Sequence, residues 1–493
     1  MSARRGSWWL PVLVAALLVT VALPGSALPI FGRKAAAGTP LLVQLQGDAS
    51  GLDKAAVADD DPKRLRDRRT GLGVVASKAL DDDLNALLDK LQRGWPQEPP
   101  PARVHVVPDQ DYQARTSESG DVFIAVGMLQ SVESEDEVAA LLAHEYSHVL
   151  LGHVKPSRLD QAAKGLWAGA TLYALYRNDK KPDDTALMRQ MGINTLAMET
   201  VSSGLVPAMT RKEEDAADRL GMDLMIRAGY NPLAMTTVLE REIDWEARAA
   251  ALAEARAARA AKLDEQIKAE SGGQVALDLE PLVQSMMTSI ISNVAAGLGK
   301  LRAKLRREHA DPTLRREAAR EYLRAAHADA PRPELRPLPW AKQKDVQALF
   351  AGLADARDAY DLLDAEDPAA MQKVRALAEK ANRTPAGRTA LTRYVYAMVS
   401  PKKSEALFAQ ETKADDSLLG AHLQYMELVG RSDRTLAAAA YERAHAEFGD
   451  NPQLEPYAAR FAPPKPDAPA LGGLCENLKA TLKATCQALT KGS

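Results

Sequence analysis

Two histidines four residues apart, with a glutamate beside the first, constrain this chain more than any other feature. They are His144, Glu145 and His148 in LLAHEYSHVLLGH. On a helix, positions i and i+4 project from one face about 6 Å apart along the axis. Both imidazoles then reach a single zinc ion at its bond length of about 2 Å. Glu145 lies beside them, placed to take a proton from an attacking water. SEDE, Ser134 to Glu137, is a capping box that opens the helix. Two histidines do not complete a catalytic zinc site, so the fold has to bring a third ligand to this helix.

A histidine further along the same segment is not expected to be that ligand. The continuation H-E-x-x-H-x-x-G-x-x-H needs glycine three residues and histidine six residues after His148. Leu151 and Val154 stand there, and Gly152 and His153 are one position off. One residue turns a helical position by about 100°. His153 is therefore expected to be a helix-end or packing histidine with an ordinary hydrogen bond. TRKEEDAADRLG, further on, offers Glu214 with Asp218 four residues later on the same face. Glu214 can complete a His₂Glu site, and Asp218 can accept the spare ring N–H of a ligand histidine. Glu213 is the adjacent alternative, but its i+4 position is Ala217, which leaves that supporting role unfilled.

Taken together, SEDEVAALLAHEYSHVLLGHV and RKEEDAADRLGMDLMIRAGYNP resemble the HtpX/BepA-like family of zinc metallopeptidases, relatives of the CAAX prenyl proteases. GDVFIAVGMLQSV resembles the strand and turn that precede the family's active-site helix, and the similarity runs from about residue 70 to 325. The resemblance implies a gluzincin-type protease domain with one Zn²⁺ per chain, held by His144, His148 and Glu214. Glu145 would be the general base, with Asp218 and Arg211 in supporting positions. The family also carries a histidine-proline element followed by an arginine. EHADPTLRRE matches it through His309 and Arg315, although Ala310 replaces the proline, which appears later as Pro312. On resemblance His309 gates the zinc or assists catalysis, and His309 and Arg315 are candidates for stabilising the oxyanion. YQARTSES departs from the family's Asn-Ala element, which Gln113 and Ala114 approximate. From the residues themselves, the strand DVFIA, through Val122, Phe123 and Ile124, is expected to pair with an extended substrate backbone.

With 493 residues the chain has room for two or three domains. Aromatics are 5% against 46% hydrophobic residues, which suits a helix-rich protein. The expected fold is predominantly α with a small β-sheet: a zinc metalloprotease domain followed by an α-helical, TPR-like domain. A net charge of −3 supplies no strong field for nucleic acid. Residues 1–27 read as a signal peptide, with Arg4 and Arg5 before an apolar run and Gly25 and Ala27 before a cut near Ala27. Retention as an anchor is the alternative. A polar lead over 28–69 is followed by the protease domain, 70–330, with helix expected over 72–94 and strands at ARVHVVP and DVFIAVGML. Residues 331–340 read as a proline-rich linker and 341–462 as helical hairpins. The tail 463–493 holds both cysteines, Cys475 and Cys486. In one continuous helix they would lie about 16 Å apart, so they pair only if the tail folds back.

The resulting reading is a zinc endopeptidase of the bacterial periplasm. On resemblance it acts on unfolded or misassembled envelope polypeptides, including outer-membrane proteins during assembly, and its C-terminal helices present clients or dock an assembly partner. The alternative is a helical scaffold or chaperone whose metal site is inactive or autoinhibited. A zinc exopeptidase would need a charged anchor for a chain terminus, which the sequence does not reveal.

Overall fold

The computed structural model describes residues 38–45, 68–69, 73–153, 209–248 and 311–462, apart from positions 76, 111, 118, 431, 450 and 452 and the stretches 365–367 and 381–384. The expected export signal, His309 and the cysteine tail lie outside these residues.

Helix α1 spans Leu41–Leu45 and α2 Lys78–Gln92. Ser77 caps α2, and its leucines 80, 84, 87, 88 and 91 are all buried, as their spacing predicts. Strands β1 (Val104–Val107), β2 (Ala114–Thr116) and β3 (Val122–Ala125) form a three-stranded sheet in the order β1-β3-β2. β1 runs parallel to β3 from Val104↔Val122 to Val107↔Ala125, and β2 runs antiparallel from Ala114↔Ile124 to Thr116↔Val122. The run DVFIAVGML divides, because Val126–Ser131 forms helix α3. β2 has only three half-buried residues and no alternation, so the sequence carried no signal for it.

Helix α4, Glu135–Leu150, carries the H-E-x-x-H residues, and α5, Arg211–Arg227, carries EEDAAD. The two pack closely because Gly221 faces the α4 backbone. A Cβ at that position would sit 3.2 Å from both the carbonyl carbon of Ala143 and the nitrogen of His144. Glu214 and Asp218 share the Gly221 face, two turns and one turn earlier, and so arrive at the same part of α4. Helical residues 234–248 and α6, Pro312–Ala326, complete the surroundings of the site.

Two segments are more tightly integrated than expected. The lead is not all loop, because α1 docks on α5 and α6. Leu41 N donates to Tyr322 Oη at 2.7 Å and Leu42 N to the buried Asp223 at 2.7 Å. The proline-rich 331–340 is a strap, not a linker. Its prolines remove backbone donors and stiffen the chain, and the remaining polar groups bind the protease core. Arg336 N donates to Asp136 at 2.8 Å, and Asn231 Nδ2 donates to Pro333 O at 2.8 Å. Pro337 forms an isolated bridge with Ser134. Trp340, 1% exposed, enters the same core as Val346, Phe350 and Leu353, so this core extends past the expected boundary at 340.

Helices α7 (Lys344–Asp364), α8 (Pro368–Lys380), α9 (Pro385–Met398), α10 (Pro401–Glu411), α11 (Leu419–Val429), α12 (Arg434–Phe448) and α13 (Glu455–Phe461) follow, each against the next. The last four share a second core around Phe408, Met426 and Phe448. Arg69 ties this core to the N-terminal segment. Its Nε donates to Ser417 O at 2.7 Å and its guanidinium carbon lies 4.7 Å from the centre of the Phe448 ring. No described helix is long and apolar enough to cross a membrane.

Asp136, 0% exposed in the first turn of α4, also accepts from Asn231 N at 2.8 Å, so it holds the strap and the turn after α5 together. Asp136→Ala leaves one buried and one part-buried backbone N–H group without an acceptor and should cost roughly 2–4 kcal/mol by chemical denaturation. A loss below about 0.5 kcal/mol, the level of an ordinary surface change, would show that the strap is held elsewhere.

Candidate metal centre

Helix α4 aims His144 and His148 from one face, and α5 brings Glu214 to them. His148 Nε2 lies 3.2 Å from His144 Nε2. Glu214 Oε2 is 3.4 Å from His144 Nε2, and Glu214 Oε1 is 3.9 Å from His148 Nε2. Zinc bonds of about 2.0–2.1 Å give a tetrahedral edge of roughly 3.3 Å. Three donors at these separations therefore fit three corners of a zinc tetrahedron, and the donor set, two imidazoles and a carboxylate, matches a catalytic site.

Glu213 is engaged elsewhere. Its carboxylate accepts from Thr210 N at 2.7 Å while Thr210 Oγ1 accepts from Glu213 N, so the residue completes the capping box of α5. That supports the register in which Glu214 is the ligand.

Each histidine is held from behind. His144 Nδ1 donates to Asp218 Oδ1 at 2.8 Å. Arg315 grips the same carboxylate, donating from Nε to Oδ2 at 2.9 Å and from its NH2 group to Oδ1 at 2.7 Å. Its remaining nitrogen lies 3.3 Å from Glu214 Oε2 and 3.4 Å from Glu242. Burial alone would raise the Asp218 pKa, but Arg315 and His144 hold it well below the usual carboxylate range. Burial disfavours a charge on His144, yet the bond to Asp218 together with the charges of Asp218 and Glu214 outweighs it and raises the imidazole. Burial and the neighbouring His144 and His153 push His148 well down, which keeps it neutral as a ligand must be.

His153 is, as expected, a helix-end histidine outside the ligand cluster, and its partner is one of the candidate ligands. Helix α4 ends at Leu150 in a Schellman motif. Gly152 has φ +64°, its N–H donates to Val149 O at 3.1 Å, and His153 N donates to His148 O at 3.0 Å. The motif usually sets an apolar contact between its outermost residue and the third-last helical one. Here those residues are His153 and His148, whose Nδ1 atoms are 3.0 Å apart. The chain has already left the helix at this point, so the turn and not helical periodicity sets where His153 lies. His153 is not among the three converging ligands; it is the partner of one. Glycine two residues past the last helical position was the available signal.

Glu145, the candidate base, is also held by a residue the motifs omit. Thr116 Oγ1, on β2, donates to Glu145 Oε2 at 2.8 Å. Burial raises the Glu145 pKa, while His144 and Thr116 oppose the rise.

Three sequence expectations need correction. Val122, Phe123 and Ile124 cannot take an added strand, because β3 is central and already paired on both sides. β2 is the edge strand beside Glu145. Arg211 does not reach the ligands: at the first position of α5, its ionic contact among the described residues is with Asp215, at 3.9 Å. Arg315 is buried behind the ligands in contact with carboxylates, a geometry that suits positioning rather than direct contact with a substrate.

Residues 78–321 match peptidase family M48. The beta-barrel assembly-enhancing protease of Escherichia coli (strain K12) is 28% identical over 127 residues, 25% of this chain and 25% of that protein. Its counterpart from Yersinia pestis is 24% identical over 184 residues, 36% of each. The mitochondrial metalloendopeptidase OMA1 of Schizosaccharomyces pombe is 29% identical over 138 residues, 28% of this chain and 36% of that one. The similarity thus spans between a quarter and little more than a third of these relatives.

Metal analysis separates the two glutamates. Glu214→Ala should abolish zinc retention, whereas Glu213→Ala should keep zinc and lose about 1 kcal/mol of stability with the cap. His153→Ala should weaken zinc binding about 10–100-fold in chelator competition. Unchanged affinity would remove His153 from the site.

Proposed function

Because residues 78–321 form a peptidase family M48 domain, we propose that this protein is a zinc-dependent endopeptidase acting on unfolded or misassembled polypeptides of the bacterial envelope. One observation carries the reading: His144, His148 and Glu214 converge with ligand atoms within 4.8 Å of one another, with Glu145 adjacent in sequence. Zinc bound there would supply Lewis acidity, polarising the scissile carbonyl and acidifying water.

The remaining chemistry belongs to the chain. Glu145 accepts a proton from the attacking water and returns it to the leaving amine. Thr116 holds the carboxylate in place, and Asp218 with Arg315 fixes the tautomer and orientation of His144. Of the two sequence candidates for the oxyanion, Arg315 is engaged behind the ligands, which leaves His309 for that role. Substrate lies as an extended strand against β2, Ala114–Thr116, whose Thr116 hydroxyl contacts the base. Only an unfolded segment or loop can offer such a strand, which accounts for the substrate class.

The envelope setting rests on the export signal expected at the N-terminus and on relatives named for beta-barrel assembly. Substrate proteins caught during outer-membrane assembly fit both, with α7–α13 presenting the client or docking a partner.

Glu145→Gln should lower kcat on a permanently unfolded protein about 10²–10⁴-fold while retaining about one zinc per chain. Thr116→Val should lower kcat about tenfold with zinc content unchanged. Equal cleavage by wild type and Glu145→Gln, with client aggregation still suppressed, would replace this reading with a scaffold or chaperone.

A further inference from the structure

The C-terminal helices contain a cavity of about 140 Å³ formed by the turn after α10 and by α11 and α12. Its residues take no part in the metal centre. Ala409, Leu436, Ala439, Ala440 and the ring of Tyr425 make walls that are mostly apolar, and Lys413 and Arg443 line it as the two cations. Both cations are exposed, and neither has an ion-pair partner among the described residues.

The charge around the cavity can be followed group by group. His422, also in the lining, is fully buried with Nε2 2.9 Å from Ser417 Oγ. Burial, with Arg69 and Arg443, pushes it down to about 3, so it is neutral at physiological pH. Glu447 is ion-paired with Arg69. Asp433 caps α12 by accepting from Leu436 N at 2.9 Å. Glu405 and Asp433 act on the Tyr425 hydroxyl through their charge, and Arg443 acts on it in the opposite sense. Neither cation is thus held at ion-pair distance by a carboxylate among the described residues, and both stand beside an apolar space.

The volume limits the occupant. An apolar cavity of about 150 Å³ takes a benzene ring, so this one holds a single large apolar side chain. An anionic group must lie within one residue of that side chain to reach Lys413 and Arg443. The last residue of a polypeptide carries both on one unit: an apolar side chain and the α-carboxylate. An internal acid beside an apolar residue brings the same charge, but its main chain must continue past the cations.

We propose that this cavity binds the C-terminal residue of a polypeptide that ends in a large apolar side chain, with the α-carboxylate between Lys413 and Arg443. The site is independent of the peptidase reading. Where both hold, it tethers a chain by its end while another segment reaches the metal centre.

The test uses the full chain carrying Glu145→Gln, so that the probe is not consumed, and a fluorescein-labelled peptide ending in phenylalanine with a free carboxylate. Anisotropy should show saturable binding. Binding should weaken about tenfold or more when the peptide ends in an amide or in serine, as expected for loss of a charge-assisted contact or of the apolar side chain. Lys413→Glu combined with Arg443→Glu should cause a similar loss, and so should Ala439→Trp, an exposed position where the indole would fill the mouth. All variants should keep the wild-type melting temperature and zinc content. Equal binding of acid and amide overturns the proposal. So do full binding by the charge-reversed variant, absence of binding by the unaltered rim, and equal competition by a peptide with only an internal acid.

Discussion

The carboxylate of Asp218 is the contact on which the site depends. It lies on α5, receives the ring N–H of His144 from α4, and is gripped along its edge by Arg315 from α6. A buried carboxylate without these donors would be costly, so the three helices have to meet where they do. Gly221 makes the meeting possible by letting the α4 backbone approach without a side chain between them. The distance between His144 and Glu214 is therefore set by backbone packing and a buried ion pair, both stiffer than a pair of surface side chains. A metal site benefits from that stiffness, because its ligands need not be reordered when the ion binds.

Both ends of α4 are fixed by segments outside it. At its start, Asp136 joins the turn after α5 to the strap 331–340. At its finish, the Schellman motif folds His153 back onto His148. The helix bearing two ligands and the base is thus held against rotation and sliding by polar contacts at each terminus. The strap also leads through Trp340 into α7, so the first C-terminal helix is built on the same core as the metal centre. Arg69 makes the other connection, from the N-terminal segment into the second core. A signal from the helical region to the site would have these two physical routes.

Under the proposed function, the chemistry would sit in the domain that holds the metal centre, and substrate handling would be shared with the helices that follow. β2 offers an edge for an extended chain next to the base, and the cavity between α10, α11 and α12 offers a place for a chain end. Neither feature needs a folded substrate surface. Both recognise groups that folded proteins commonly conceal: free backbone and an unprotected apolar terminus.

Much of the site was legible before any coordinates. The His144–His148 spacing, Glu145 beside it, and the pairing of Glu214 with Asp218 are consequences of helical periodicity, which a sequence displays directly. The cap signal at Ser134 marked where the first of these helices begins for the same reason. The polar N-terminal lead hides a docked helix because its order comes from Asp223 and Tyr322, far along the chain. The strap read as a linker because prolines look alike whether or not a core receives them. The exposed strand was misassigned because β2 is too short to show alternation, and only pairing reveals that β3 lies between two neighbours. By itself, then, the sequence determined the candidate ligands, the candidate base and the helices that carry them, since those follow from spacing within each element. Tertiary structure alone decided which sheet edge stays open, that His153 braces His148, and that Arg315 stands behind the metal site. Each of these depends on which group arrives from a distant part of the chain.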